Sequence, residues 1–285
     1  MKKVLITGAS GFVGKALVDK LMLLNYEVIA LNHKTCDITI FDNVMKTDMI
    51  DICHVFHLAA KTFVPDSWKS PEQFYSANVI GTLNILELCK KNNTNLTYIS
   101  SYLYGEPEYL PIDEHHVLKP NNPYAHSKYL AEKLCEFYRD NFDLNITIIR
   151  PFNIYGKGQN SQFLIPHIIN QVLKNAVVTV ENLTPKRDYI YLDDLVDAIV
   201  LSAKEPLNTT YNIGSGISYS VQEVIEIVGK IAEVDVKIIN KNVLRKNEVN
   251  NVVSDISKIN SELGWSPKYT FEDGLRFLVH EYSRT

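Results

Sequence analysis

Three glycines, at positions 8, 11 and 14, punctuate the run Thr7-Gly8-Ala9-Ser10-Gly11-Phe12-Val13-Gly14. An apolar, β-branched segment, Lys3–Thr7, comes before them, and an amphipathic stretch, Gly14–Leu24, follows. A glycine triplet alone is a weak signal, since any turn can use one. At the first strand-to-helix turn of a chain it is far more restrictive. Gly8 then permits a tight turn, Gly11 the close approach of a pyrophosphate, and Gly14 the packing of helix on strand. Phosphate charge would rest on N–H groups at the helix start, from Ser10 through Phe12 and Val13.

The alternation continues downstream. Glu27–Leu31, His54–Leu58, Leu96–Ser100 and Asn145–Arg150 read as buried strands, and Pro71–Lys91 and Pro123–Asn141 as helices. Repeats of strand, helix and strand predict an α/β fold: a Rossmann-type, doubly wound parallel sheet joined by right-handed crossovers. Beyond Arg150 the rhythm changes. Pro151, Gly156 and Gly158 mark a loop. Pro166–Asn175, Val221–Glu233 and Phe271–Tyr282 read as helices, and Asp188–Leu192 and Thr210–Ile213 as short strands. We expect an NAD(P)-binding domain over 1–154, with a return of roughly 188–209. A smaller α/β C-terminal substrate domain is expected over 155–285.

With 285 residues, 46% of them hydrophobic, the chain can bury a full core, which excludes a disordered protein. The net charge of -4, with no long basic block, argues against a nucleic-acid partner. Cys36, Cys53, Cys89 and Cys135 are scattered, as in a reduced compartment, and indicate neither disulfides nor a metal site. The apolar start is broken at Thr7-Gly8, and no run reaches membrane-spanning length. A cytoplasmic protein with no membrane partner is expected.

Ribose recognition belongs at the end of the second strand. There stand Leu31-Asn32-His33-Lys34, with no carboxylate. An Asp or Glu would accept hydrogen bonds from both ribose hydroxyls of NAD. Asn32 can donate instead, and Lys34, helped by His33, can pair with a 2′-phosphate. This favours NADP (NADPH), with NAD as the alternative.

Tyr124 precedes Lys128 by four residues, about one helical turn, so the two share a face. A free phenol, with a pKa of about 10, is a poor base at neutral pH. A cation at roughly 4 Å, in an effective dielectric of about 20, would favour its ionised form by on the order of 4 kcal/mol. The same spacing also occurs by chance on exposed helices. Ser100, at the end of a predicted strand, supplies a hydroxyl that could complete the site.

Together the glycine spacing, the Tyr124/Lys128 pair and Ser100 resemble the extended short-chain dehydrogenase/reductase family of nucleotide-sugar epimerases, dehydratases and ketoreductases. The resemblance extends over essentially the whole chain. It implies cofactor contacts from Asp37-Ile38, from Leu58, Ala59 and Ala60 in His57-Leu58-Ala59-Ala60, from Asn78, and from Pro151. In Ser100-Ser101-Tyr102-Leu103-Tyr104-Gly105 the family's catalytic hydroxyl lies four residues before the Tyr-Gly. This points to Ser100, with Ser101 second and next to substrate. Asn153, Arg187 and Arg245 match positions that hold the nucleotide and diphosphate of a sugar nucleotide. A homodimer through the two long helices is implied by the resemblance and only permitted by their apolar pattern.

The resemblance implies an NADPH-dependent reductase of a 4-keto-(deoxy)sugar nucleotide. The same residues would serve an NAD-dependent C4 epimerase, and a non-catalytic nicotinamide sensor is a third reading. Two departures bear on the choice. The Asp-Glu pair of the 4,6-dehydratases is replaced by Ser101 and Tyr102, which argues against dehydration. The missing ribose carboxylate departs from the NAD-retaining epimerases.

Overall fold

Val4, Leu5, Ile6, Val55, Phe56, Leu96, Ile148 and Ile149 are almost fully buried because their strands lie inside one sheet covered on both faces. The computed structural model describes residues 2–204, 208–243 and 248–284. In chain order the first half contains β1 (Lys3–Thr7), α1 (Phe12–Leu23), β2 (Glu27–Leu31), α2 (Phe41–Met45), β3 (Ile52–His57), α3 (Val64–Lys69), α4 (Pro71–Tyr75), a π-helical turn (Ser76–Ile80), α5 (Gly81–Asn92), β4 (Asn95–Ile99) and α6 (Pro123–Asn141). Then come β5 (Ile146–Pro151), β6 (Asn153–Tyr155), α7 (Leu164–Asn175), β7 (Val177–Val180), β8 (Lys186–Tyr191), α8 (Leu192–Lys204) and β9 (Thr210–Ile213). The chain continues with β10 (Ser218–Ser220), α9 (Val221–Ala232), β11 (Lys237–Asn240), α10 (Ser257–Leu263) and α11 (Phe271–Tyr282).

Six strands form a sheet in the order β2-β1-β3-β4-β5-β9, parallel throughout. The order reverses between β1 and β3, which opens a crevice beyond the carboxyl ends of these strands. One face packs against α1 and α8, through Leu17, Leu21, Leu195 and Ile199. The other packs against α5 and α6, through Ile85, Leu86, Ala131 and Cys135. The expected α/β fold with its doubly wound parallel sheet is therefore present. Two smaller sheets, β10-β8-β6 and β11-β7, stand beside it. They share a third core with α7, α9 and α11.

Several elements differ from the sequence expectation. Helix α8 starts directly after β8, with no breaker between them, and packs on the main sheet. The return to that sheet thus consists of α8 and β9. The loop expected after Pro151 contains β6. The helix expected over Pro71–Lys91 is interrupted by the π-helical turn, which adds a residue to one turn of helix.

Candidate active site

Helix α6 carries the central pair. Asn122 caps it by accepting a 2.9 Å hydrogen bond from the Ala125 N–H, and Pro123 occupies the first turn, where its missing N–H costs nothing. This start sets the phase of the helix. Lys128, Ala131, Glu132 and Cys135 face inward, with Tyr124 partly buried at the mouth.

The Ser101 side chain stands beside the Tyr124 phenol and favours its ionised form. Burial pushes that phenol above the ordinary value, Ser101 partly opposes this, and nearby Tyr102 reinforces it. Lys128 does not pull the phenol down, contrary to the expectation from spacing. Its ammonium donates instead to the Ile99 carbonyl at 2.6 Å and lies 4.2 Å from the Tyr98 ring centroid. Burial lowers Lys128 to about 7, against the raising influence of Cys135 and Glu132.

Ser100 and Ser101 point to different places. Leu96 and Tyr98 on β4 belong to the core beneath α6, whereas Ile99 belongs to the opposite face. Period-two alternation therefore sends Ser100 towards α6. There its hydroxyl donates to Glu132 Oε2 at 2.7 Å. Ser100, the hydroxyl expected to complete the site, thus bonds to Glu132, and it is Ser101 that acts on the Tyr124 phenol. Strand parity thus separates the two adjacent hydroxyls, one towards Glu132 and the other towards the phenol.

Around the phenol, Phe74 stands edge-on to the Tyr124 ring at 6.5 Å. Phe74, Lys61, Phe63 and Gln73 line a cavity of about 340 Å³. Tyr102 stacks on Phe152 at 5.2 Å and donates to Asn153 Oδ1 at 3.1 Å. Asn153 in turn donates to the Asp188 carbonyl. Arg187 donates to the carbonyls of Lys186 and Val249 and lies 3.9 Å from Glu248. Its guanidinium thus ties β8 to the 248–252 segment. Arg245 lies outside the described residues.

The cofactor-side residues cluster at the carboxyl ends of β1, β2 and β3. Gly8 has φ +72°, and a Cβ there would meet the Ala59 backbone at 2.7 Å. A Cβ on Gly14 would collide with the Gly8 carbonyl. Gly14 therefore lets the helix close onto the turn itself. No side chain caps α1 at Gly11, so its first N–H groups, from Phe12 and Val13, are left to face an anion. Thr7 orders the turn by accepting from the Ala59 N–H and bonding to His57 Nδ1 at 2.6 Å.

Asn78 lies in the π-helical turn and is buried. It accepts from the Lys61 N–H at 2.8 Å, and donates to the Lys61 carbonyl and the Ser127 hydroxyl. It therefore ties the loop after β3 to α6. Asn32 folds its side chain into a local turn through the Lys34 and Thr35 N–H groups, which leaves His33 and Lys34 exposed. Asp37 accepts from Thr39, and Ile38 packs beneath Gly81. A turn that only glycine can fill, an uncapped helix start and the exposed Lys34 side chain after β2 together fit a dinucleotide.

A model of the NAD dependent epimerase/dehydratase family matches residues 4–214. The chain belongs to that family. It is 32% identical to the putative UDP-glucose 4-epimerase of Methanocaldococcus jannaschii, over 97% of each chain. It is 34% identical to the GDP-6-deoxy-D-talose 4-dehydrogenase of Aggregatibacter actinomycetemcomitans, over 94% of this chain and 93% of that one. The structure of RMD from Pseudomonas aeruginosa complexed with NADPH is similar, with TM-score 0.92 at 28% identity, covering 100% of this chain and 99% of that chain. Among the described residues no helix is long and apolar enough to cross a membrane. No group of described His, Cys, Asp and Glu residues could hold a metal ion.

Sequence reasoning gave no role to Glu132, which binds Ser100 and Arg150 beneath this cluster. Glu132 continues the four-residue spacing of Tyr124 and Lys128, a signal that was available. That reasoning named Tyr102 only as a departure from the dehydratases and gave it no place beside Tyr124.

Proposed function

We propose that this protein is an NADPH-dependent reductase of a 4-keto-(deoxy)sugar nucleotide. The observation that carries the reading is the phenol of Tyr124, kept in its protonated form by burial, with the Ser101 side chain beside it. A protonated phenol is ready to donate, as a reduction requires. When bound, the nicotinamide supplies hydride to the ketone carbon. Tyr124 gives its proton to the developing alkoxide and regains one from solvent. Ser101, in place of Ser100, hydrogen-bonds the same oxygen and stabilises its charge. Lys128 orients the nicotinamide ribose with its remaining N–H groups. Exposed His33 and Lys34 favour the 2′-phosphate of NADP, and the likeness to an NADPH-bound structure supports the same choice.

The nucleotide is assigned to the cleft bordered by Asn153, Tyr102 and Arg187. A homodimer across α5 and α6 is part of this reading, supported by exposed Ile80 in the π-helical turn and Phe137 on α6. The second reading, an NAD-dependent C4 epimerase, is favoured by the likeness to the putative UDP-glucose 4-epimerase.

The deciding experiment supplies NADPH and a panel of UDP-, dTDP-, GDP- and CDP-linked 4-keto sugars to the purified protein. Stoichiometric loss of NADPH absorbance is expected, together with its loss in Tyr124→Phe, which keeps cofactor binding. Interconversion of two sugar nucleotides with catalytic NAD alone would overturn the reductase. Unchanged cellular function in Tyr124→Phe would point to the sensor.

A further inference from the structure

Glu132 is fully buried, yet it carries a carboxylate that touches neither solvent nor the reacting atoms. Burying such a group is unfavourable unless it is paired and hydrogen-bonded. Here both conditions are met. Arg150 on β5 grips it through Nε, at 3.1 Å from Oε1 and 3.2 Å from Oε2, and through Nη2. Ser100, just past the end of β4, donates to Oε2 at 2.7 Å.

Arg150 is itself fixed. Its Nη1 donates to the Tyr104 hydroxyl at 2.9 Å and to the Glu114 carbonyl at 3.3 Å. Tyr104 then donates to Asn212 Oδ1 on β9 at 2.6 Å. Burial works against the Arg150 charge, but Glu132 and then Tyr104 outweigh it, so the guanidinium stays firmly protonated. The carboxylate is thus held from β5, with a further anchor on β9, and its Oε2 also accepts from Ser100, just beyond the end of β4. What it holds there is the hydroxyl adjacent in sequence to Ser101.

We propose that Glu132 is a positioning residue. Clamped by Arg150, it fixes the Ser100 side chain and so sets the Ser100–Ser101 peptide at the angle that turns the Ser101 hydroxyl onto Tyr124. The inference deepens the reductase reading, on which it rests for the role of Ser101. It explains why a chain that needs one active hydroxyl has two consecutive serines. One is the anchor and the other is the working group.

The test compares Ser100→Ala and Glu132→Gln with Ser101→Ala in the full chain. Readouts are NADPH affinity by fluorescence, kcat and KM on the best 4-keto sugar of the panel, and a crystal structure of each variant. Positioning predicts that Ser100→Ala folds, binds NADPH with unchanged affinity and keeps its KM. Its kcat falls about tenfold, and its crystal structure shows Ser101 turned off Tyr124. Glu132→Gln should behave alike, and Ser100→Ala decides alone if Glu132→Gln does not fold. Combining the two should add little to either. A Ser100→Ala enzyme with unchanged kcat, or with the Ser101–Tyr124 contact intact, overturns the proposal. If wild type turns over no member of the panel, the reductase reading fails separately, and the crystal structures alone decide the positioning.

Discussion

The Lys128 ammonium donates a 2.6 Å hydrogen bond to the carbonyl of Ile99, the last residue of β4. Helix α6 is thereby tied to the strand end that delivers Ser100 and Ser101. Buried in this position, Lys128 loses its proton near pH 7 rather than above 10.

A pH signature follows, with opposite signs for activity and stability. Reduction should weaken as pH rises through about 7 in the free enzyme, as Lys128 loses its charge. Stability should move the other way. The unfolded chain keeps this proton up to its ordinary pKa of 10.5, so between about 7 and 10.5 it binds more protons than the folded one. The contribution of Lys128 to stability therefore rises with pH across that window, by about 1.4 kcal/mol per pH unit. Urea titrations at pH 7.5 and 9.5 on wild type and Lys128→Met should show this gain in the wild type alone.

Acid should act through two buried histidines. Burial holds His54 at about 3, and burial with the nearby Lys128 charge holds His57 at about 3. The unfolded chain takes up these protons below 6.5, so stability is intact above that pH and is lost as pH falls from 6.5 towards 3. Each histidine contributes a slope of about 1.4 kcal/mol per pH unit. In His54→Gln the acid limb of thermal unfolding should be shallower by one such slope. An unchanged limb would assign acid sensitivity to other groups.

Lys34→Glu should reverse the cofactor preference. Loss of a cation facing a 2′-phosphate, and gain of an acceptor for ribose hydroxyls, should cost NADPH at least tenfold in affinity and improve NADH. Isothermal titration with both cofactors measures it. Equal losses for the two would show that Lys34 reads no phosphate.

Gly14→Ala should fold poorly or bind no dinucleotide. Its methyl would meet the Gly8 carbonyl and Ala9 backbone, which cannot yield as a flexible side chain can. Overpacking of this kind destabilises by about 1–3 kcal/mol. Melting temperature and cofactor titration together should show both losses, whereas Gly158→Ala, in open space at φ +81°, should leave binding unchanged.

Much of this molecule was legible in its residues. The span of α6 could be read because Asn122-Pro123 start it and its inward stripe recurs every turn. Strands β1 and β2 were readable as short apolar runs bounded by turns. By contrast, α8 was hidden because Leu192 begins a helix where Tyr191 ends a strand, and the apolar run passes through both. Strands β10 and β11 are too short, at three and four residues, to display a period. The choice between Ser100 and Ser101 was lost for a related reason. Adjacent residues along an extended chain face opposite ways, so the spacing to Tyr104-Gly105 alone does not say which of the two hydroxyls turns to the phenol.

The π-helical turn at Ser76–Ile80 has an evolutionary corollary. Removing one residue there would give a more regular helix, with every N–H four residues from its acceptor. It would also rotate one half of that helix against the other by about a quarter turn or more. Asn78 would then swing away from Lys61 and Ser127. Such a deletion would count as an improvement by any measure of local regularity, yet it would unfasten the loop that borders the reaction. The surplus amino acid is therefore a site where insertion and deletion carry consequences that substitution does not, and where an alignment should be read in length before identity.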